Sequence, residues 1–182
     1  MMGWGECWGV APNPTARIPC QSLTISILQQ VLNHIALEED MENFEVVEKA
    51  PHVEDYLKIR EKAGLRNIDK TLAKQGLRHS LFSVSVYDKG ELIAMGRVVG
   101  DMGIAFYLQD VIVLGEYQNM GLGTKIVKRL EKYVEGFKVE GTEIYLGLMS
   151  TKGKEKFYEK LGFYERPNCE FGHGMTKKIV NS

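Results

Sequence analysis

The most informative part of this chain for its fold is the stretch Val111-Ile-Val-Leu-Gly-Glu-Tyr-Gln-Asn-Met-Gly-Leu-Gly-Thr124. It opens with an apolar run typical of a buried strand, continues through a short polar loop, and reaches two glycines where a helix is predicted to begin. The first amides of a helix have no partner within the helix, and the helix dipole places partial positive charge there. Because Gly121 and Gly123 carry no Cβ, a phosphate can approach this backbone closely. The stretch therefore predicts a main-chain site for a diphosphate.

Two common phosphate-binding motifs do not fit this stretch. A P-loop of the form G-x-x-x-x-G-K-[ST] that started at Gly115 would need its second glycine at Met120. A dinucleotide fingerprint of the form G-x-G-x-x-G that started at Gly121 would need a glycine at Ile126. Both mismatches disfavour nucleoside triphosphate and dinucleotide sites of these two types.

The remaining pattern predicts an α/β fold with the order β-α-α-β-β-β-α-β-α-β, in which a central mixed sheet of about six to seven strands is flanked by helices. The predicted strands are a short one near Phe44–Val47, then Leu81–Tyr87, Glu91–Val99, Ile104–Leu114, Glu143–Met149, and a final strand or pair from Phe163 onward. The predicted helices are 52–63, a short one beginning near Asp69, one opening near Gly121, and Gly153–Leu161.

Two motifs resemble the GNAT superfamily of N-acetyltransferases. The segment Gln118–Gly123 (QNMGLG) matches the family's pyrophosphate loop, [QR]-x-x-G-x-[GA], between an apolar strand and an amphipathic helix. The segment Phe157–Phe163 (FYEKLGF) follows at the family's spacing, with a helix, a glycine and an aromatic strand start. The resemblance covers about residues 43–180. Two positions depart from it, since Gly115 stands where many relatives have proline and Lys152-Gly153 stands where a CoA-contacting asparagine often occurs.

The resemblance implies acetyl-CoA as the cosubstrate, without a metal. It implies that the pantetheine arm pairs with the main chain of Val111, Ile112 and Val113. It implies that the pyrophosphate is held by the amides of Gln118, Asn119, Met120, Gly121, Leu122, Gly123 and Thr124. An N–H group near Val111 would polarise the thioester carbonyl. The implied reaction is direct transfer of acetyl to a primary amine of unknown identity, most simply a small molecule. The alternative is a CoA-binding sensor or regulatory module without catalysis.

Two residues are candidates for proton transfer, and each has a structural alternative. Tyr158 matches the family tyrosine that protonates the departing CoA thiolate, but an aromatic residue on a helix also packs. Asp110 interrupts an apolar strand, and a buried carboxyl is a candidate general base. The alternative for Asp110 is an ion pair or a backbone hydrogen bond, with Arg97 as a candidate partner.

Charge and hydropathy disfavour several functional classes. The 182 residues carry a net charge of −1, without the strongly basic balance of a nucleic-acid-binding protein. No run approaches the roughly 18 apolar residues of a membrane span, and no Cys/His cluster indicates a metal site. Three irregularly spaced cysteines predict reduced thiols in a cytoplasmic protein. We expect no nucleic-acid partner, no membrane association and no metal.

The first 41 residues differ from the rest of the chain. Residues 1–22 are rich in Gly, Pro and Trp, whereas residues 23–37 place apolar side chains at helical spacing. We therefore expect an N-terminal appendage over residues 1–41, irregular and then helical at 23–37, followed by a GNAT domain over residues 42–182. Because many GNAT proteins dimerise, a homodimer is a further expectation, and the 23–37 helix is a candidate contact.

Replacing Tyr158 by phenylalanine separates the enzyme from the sensor. If Tyr158 is the general acid, Tyr158→Phe lowers kcat by about 100-fold or more, while the affinity for CoA measured by calorimetry stays unchanged. A sensor would instead keep its whole response to CoA in this variant.

Overall fold

A computed structural model of the protein describes residues 44–179. Residues 44–149 lie in one compact unit, and residues 150–179 belong to a second unit. The expected appendage over residues 1–41, including the helix at 23–37, lies outside the described residues. The division of the chain into an appendage and a domain over residues 42–182 therefore stays a prediction.

The first unit is built on one mixed sheet of five strands. The strands are β1 (Glu45–Val47), β2 (Phe82–Asp88), β3 (Glu91–Gly100), β4 (Ala105–Val113) and β5 (Tyr145–Leu148). They lie side by side in chain order; β1 to β4 pair antiparallel, and β4 and β5 pair parallel. The α/β fold with a mixed sheet is confirmed, although the described residues form five strands where six to seven were expected.

Three helices of the first unit cover the sheet. Helices α1 (Val53–Lys62) and α2 (Lys70–Arg78) lie between β1 and β2, and α3 (Leu122–Glu135) forms the crossover from β4 to β5. Asp69 begins α2 as its N-cap, because its side chain accepts hydrogen bonds from the amides of Thr71 and Leu72. The long connection through α3 is what a parallel strand pair requires.

The sheet has a buried layer on each face. Helices α1 and α2 cover one face, where the buried cluster consists of Tyr56, Ile59, Ala73, Leu77, Leu92, Met95, Ile112 and Leu114. Helix α3 contributes a second set of buried apolar side chains, which are Leu122, Ile126, Val127, Leu130 and Val134. Their spacing of three and four residues places them along one side of α3, as the periodicity of the sequence predicts.

Helix α3 packs closely against β3 at a glycine. A Cβ placed on Gly96 would lie 2.6 Å from Ile126 Cγ2 and 3.0 Å from Leu130 Cδ1. Ile126 is only 1% exposed, and a β-branched side chain in a helix has one strongly preferred rotamer. The lack of a side chain at Gly96 therefore sets how near α3 approaches the sheet.

The second unit contains one short helix, α4 (Glu155–Glu159). Lys160 is its C-cap. The chain then turns at Gly162, whose φ of 90° is left-handed, and the amide of Phe163 donates to the carbonyl of Tyr158. The strand expected from Phe163 onward is wrong for the described residues, because residues 163–179 form no strand. Asn168 instead makes a turn there, since its side chain accepts from the amides of Glu170 and Phe171.

Within residues 44–179, none of the helices combines the length and the apolar character that crossing a bilayer requires.

Substituting Gly96 by alanine tests the close packing of α3. We expect Gly96→Ala to destabilise the protein by about 1–3 kcal/mol, because the new methyl group overpacks the contact with Ile126. The measurement is urea unfolding. The control is Gly172→Ala, since nothing lies within 4 Å of a Cβ at that position. Equal stabilities of the two variants would contradict the prediction.

Candidate active site

Strand β4 carries one residue more than the partner strand β3. Met95 pairs with Ile112 and Arg97 pairs with Gln109, so two residues of β4, Asp110 and Val111, lie opposite the single Gly96. Asp110 has a φ of 52°, in the left-handed region that side-chain-bearing residues rarely adopt. This arrangement is a β-bulge, which interrupts the pairing of the two strands and re-aims the residues around it.

The bulge changes which face of the sheet the β4 side chains occupy. Before it, Phe106 packs against Phe137, the second residue after α3, with ring centroids 5.1 Å apart. After it, Ile112 belongs to the cluster beneath α1 and α2. In a regular strand these two even-numbered residues would share a face. The extra residue therefore directs Asp110 toward α1 and Val111 toward α3, where its Cγ2 lies 3.6 Å from the position of a Cβ on Gly96.

The Asp110 carboxylate lies at the centre of a buried cluster of charges. Oδ1 accepts a hydrogen bond from Arg60 Nη1 at 2.7 Å, and Oδ2 accepts from Arg97 Nε at 2.8 Å and from the Tyr56 hydroxyl at 2.6 Å. The Asp110 side chain is 4% exposed, that of Arg60 14% and that of Arg97 11%. The ion pair with Arg97, one of the two alternatives for Asp110, is confirmed.

The cluster connects β4 to both helices on its face. Arg97 Nη1 also donates to the carbonyl of Gly76 and to the hydroxyl of Ser80, each at 3.2 Å, at the C-terminal end of α2. Burial of Tyr56, reinforced by its bond to the Asp110 carboxylate, raises the pKa of Tyr56 above its usual value. The sequence did not identify Tyr56 and Arg60 as site residues. Their four-residue spacing on a predicted helix indicates that they share a helix face, but no sequence signal connects that helix to Asp110.

Beyond the cluster, β4 has an open edge. The parallel pairing with β5 ends at Leu108 with Leu148, whereas β4 continues to Val113. On one side, Gln109, Ile112 and Val113 pair with β3 around the bulge, and on the other side residues 109–113 pair with no described strand. An open edge presents backbone N–H and C=O groups to an extended ligand. The three residues expected to pair with pantetheine, Val111 to Val113, lie on this edge.

The predicted phosphate loop joins that edge to helix α3. A 3₁₀ turn at Gly115–Tyr117 follows β4, and the Gln118 side-chain amide donates to the carbonyl of Val113 at 3.1 Å. Asn119 and Gly121 have φ angles of 64° and 77°, so the loop turns sharply just before the helix. The seven residues expected to contact the pyrophosphate, 118–124, thus follow the open edge after one short turn.

Helix α3 begins without a side-chain cap. Its N-cap is Gly121, and the first helical bond in the loop region runs from the Lys125 amide to the Gly121 carbonyl at 3.1 Å. The three amides before it, at residues 122–124, lie at the positive end of the helix dipole. Such an end binds phosphate. No group of three potential metal-ligating side chains occurs among residues 44–179.

A sequence profile of the Acetyltransferase (GNAT) family matches residues 36–163. The chain belongs to the GNAT family.

Individual proteins support the same assignment. A protein from meticillin-resistant Staphylococcus aureus, SA2161, described as a probable acetyltransferase, has a crystal structure that aligns with a TM-score of 0.67 and 36% identity, over 75% of this chain and 99% of that chain. The uncharacterised N-acetyltransferase ycf52 of Porphyra purpurea is 26% identical over 99 residues, which are 52% of this chain and 55% of that protein. The uncharacterised N-acetyltransferase CgeE of Bacillus subtilis is 34% identical over 71 residues, 38% of this chain and 27% of that protein. The matches thus span about half or less of these curated relatives.

Tyr158 of this GNAT chain lies on α4, in the second unit. Its ring meets Phe157 and Phe163 edge-on, with centroids 4.9 and 5.9 Å away. Burial raises the pKa of Tyr158 above its usual value, so the hydroxyl stays protonated at neutral pH. The packing that the sequence suggested is present, and the protonated hydroxyl retains the proton that a general acid needs. Its role as the acid stays a prediction.

Exchanging Gly121 for alanine tests the loop of this GNAT chain. Both Gly121 (φ 77°) and Gly141 (φ 75°) are left-handed, so either alanine variant should lose about 1 kcal/mol of stability. Only Gly121→Ala should also weaken CoA binding, by about tenfold, or 1.4 kcal/mol, because it displaces the amides at the start of α3. Calorimetric titration with CoA makes the comparison. If the two variants bind CoA with equal affinity, the phosphate site does not lie at this loop.

Proposed function

We propose that this protein transfers the acetyl group of acetyl-CoA directly to a primary amine. The observation that carries the proposal is the continuity of the open β4 edge with the uncapped start of α3. An extended pantetheine arm needs backbone partners along its length, and a pyrophosphate needs amides and positive potential at its end. Residues 111–113 and 118–124 supply these two requirements in one segment.

The bulge supplies a donor for the reacting carbonyl. Because β4 carries an extra residue at Asp110 and Val111, the pairing with β3 is interrupted there. The Val111 N–H group is the candidate donor to the thioester oxygen, whose negative charge grows as the amine attacks. Positioning of the two substrates provides much of the remaining rate.

Proton transfers complete the reaction. The amine nitrogen bonds to the thioester carbon and the C–S bond breaks, so one proton leaves the nitrogen and one is needed by the CoA thiolate. Tyr158 is the proposed donor to the thiolate, as the family match implies. For Asp110 we favour the structural role over that of general base, because its two carboxylate oxygens together already accept hydrogen bonds from three donors. Water is then the simplest acceptor of the amine proton.

A cavity beside the charge cluster is the proposed entrance for the acceptor. It has a volume of about 280 Å³ and is lined by Leu57, Arg60, Glu61, Asn67 and Ile68. Arg60 borders this cavity and also holds Asp110, so the cavity lies one side chain away from the bulge. Its mixed lining suits a small amine with both polar and apolar parts.

A thermal shift with acetyl-CoA, ATP and NADH at matched concentrations tests the donor. A ligand at 100 times its Kd stabilises the folded state by about 2.7 kcal/mol, so acetyl-CoA alone should raise the Tm. If ATP or NADH raised the Tm and acetyl-CoA did not, the loop would be a nucleotide site of another kind.

A panel of amines, with free-thiol release from acetyl-CoA as the readout, then tests the transfer. We expect thiol release with at least one small primary amine and none without an acceptor. A protein that binds CoA and releases no thiol with any amine would favour the sensor over the enzyme.

A further inference from the structure

The left-handed backbone at Asp110 needs support from the surrounding structure. A residue other than glycine is strained in this region, and the strain persists only where neighbouring groups hold it. Aspartate tolerates the conformation better than most residues because its short side chain can bond to the nearby backbone. Here the carboxylate accepts hydrogen bonds from the side chains of Tyr56, Arg60 and Arg97, which lie 54, 50 and 13 residues away along the chain.

The conformation of Asp110 also sets the direction of the next amide. The peptide unit between Asp110 and Val111 is planar, so a change in the ψ angle of Asp110 rotates the whole unit, including the Val111 N–H group. Three donors fix the Asp110 carboxylate, and the carboxylate is joined to that backbone through only one intervening carbon. A change in the cluster therefore changes where the Val111 N–H points.

We propose that Asp110 is a positioning residue, whose carboxylate, held by Tyr56, Arg60 and Arg97, aims the Val111 amide at the reacting carbonyl. This inference rests on the proposed function, since it assigns the Val111 amide the role of thioester donor. It gives α1 a part in the transfer step, because both Tyr56 and Arg60 come from that helix. The cluster carries two guanidinium groups and one carboxylate, so Asp110 also offsets one of the two positive charges held there.

The smallest structural change among the test variants is Tyr56→Phe, which removes one hydroxyl group and leaves both ion pairs of Asp110 in place. Its matched control is Tyr87→Phe, the same exchange on β2, at a side chain packed against the same apolar cluster. Asp110→Asn is the stronger variant, since it leaves two guanidinium groups opposite a neutral amide. Should Asp110→Asn fail to fold, Tyr56→Phe still decides the question.

Kinetics provide the first readout. We expect Tyr56→Phe to lower kcat by about fivefold, the equivalent of one hydrogen bond, and Asp110→Asn to lower it by about 100-fold, as for a misplaced reacting group. The Kd of CoA should stay within about twofold, because the loop and the start of α3 are unchanged. The double variant should be no slower than Asp110→Asn, since both changes act on one unit. Tyr87→Phe should keep the kcat of the parent protein.

The pH profile separates positioning from base catalysis. If Asp110 is a positioning residue, Asp110→Asn lowers kcat at every pH and leaves the shape of the pH profile unchanged. If Asp110 is a general base, Asp110→Asn removes the rise in kcat that accompanies ionisation of the carboxyl group. In that case kcat of Asp110→Asn would recover at alkaline pH. Recovery of this kind, or an unchanged kcat in both Tyr56→Phe and Asp110→Asn, would overturn the proposal.

The amide chemical shift of Val111, measured by NMR, gives a readout that does not need turnover, since it reports the geometry around that N–H group. The Val111 signal should move in Tyr56→Phe, because the bulge loses one of the hydrogen bonds that hold it, and should stay in place in Tyr87→Phe. If no amine is acetylated by the parent protein, the proposed function fails, and this measurement still decides whether the cluster holds Val111. An unmoved Val111 signal in both tyrosine variants would overturn the positioning role by itself.

Discussion

One additional residue in β4 is the constraint on which the described site depends. Without the bulge at Asp110, Val111 would lie on the face of α1 and α2, and the carboxylate would point toward α3 into an apolar layer. A buried carboxylate without partners is among the most costly groups that a protein interior can hold. The bulge therefore satisfies two requirements at once, because it brings the charge to its partners and leaves the layer beneath α3 apolar.

The charge cluster joins elements that are far apart in the chain. Tyr56 and Arg60 come from α1, Arg97 from β3, and the ends of its guanidinium group reach the last turn of α2. Helices on a sheet are usually held by apolar contacts, which are non-directional and permit sliding. Charged hydrogen bonds are directional, so they fix the register of α1 and α2 relative to β4.

Much of the first unit was predictable from the sequence, because hydrophobic periodicity and turn residues are local signals. The helix after Gly121 and the strands on either side of it follow from them. The bulge was not predictable, since it exists only in the pairing of Asp110 and Val111 with Gly96. The ion pair with Arg97 could be weighed as an alternative, because the two residues lie on adjacent predicted strands, whereas Arg60 comes from a helix with no sequence link to β4. The strand expected after Phe163 was wrong for the described residues, since the aromatic spacing there belongs to a segment interrupted by turn residues such as Pro167 and Asn168.

Helix α1 faces two neighbours, the strand β4 and the adjacent cavity, and Arg60 belongs to both sets of contacts. Tyr56 and Arg60, four residues apart, bond to Asp110, while Leu57 and Glu61, also four residues apart, line the adjacent cavity. Mutations on the cavity side can alter the shape and charge of that cavity while the bonds to β4 are preserved. Glu61, which lines the cavity and is not one of the residues bonded to Asp110, can therefore vary without rebuilding the strand beneath. Under the proposed function, a single substitution at this position would change which acceptor the cavity admits.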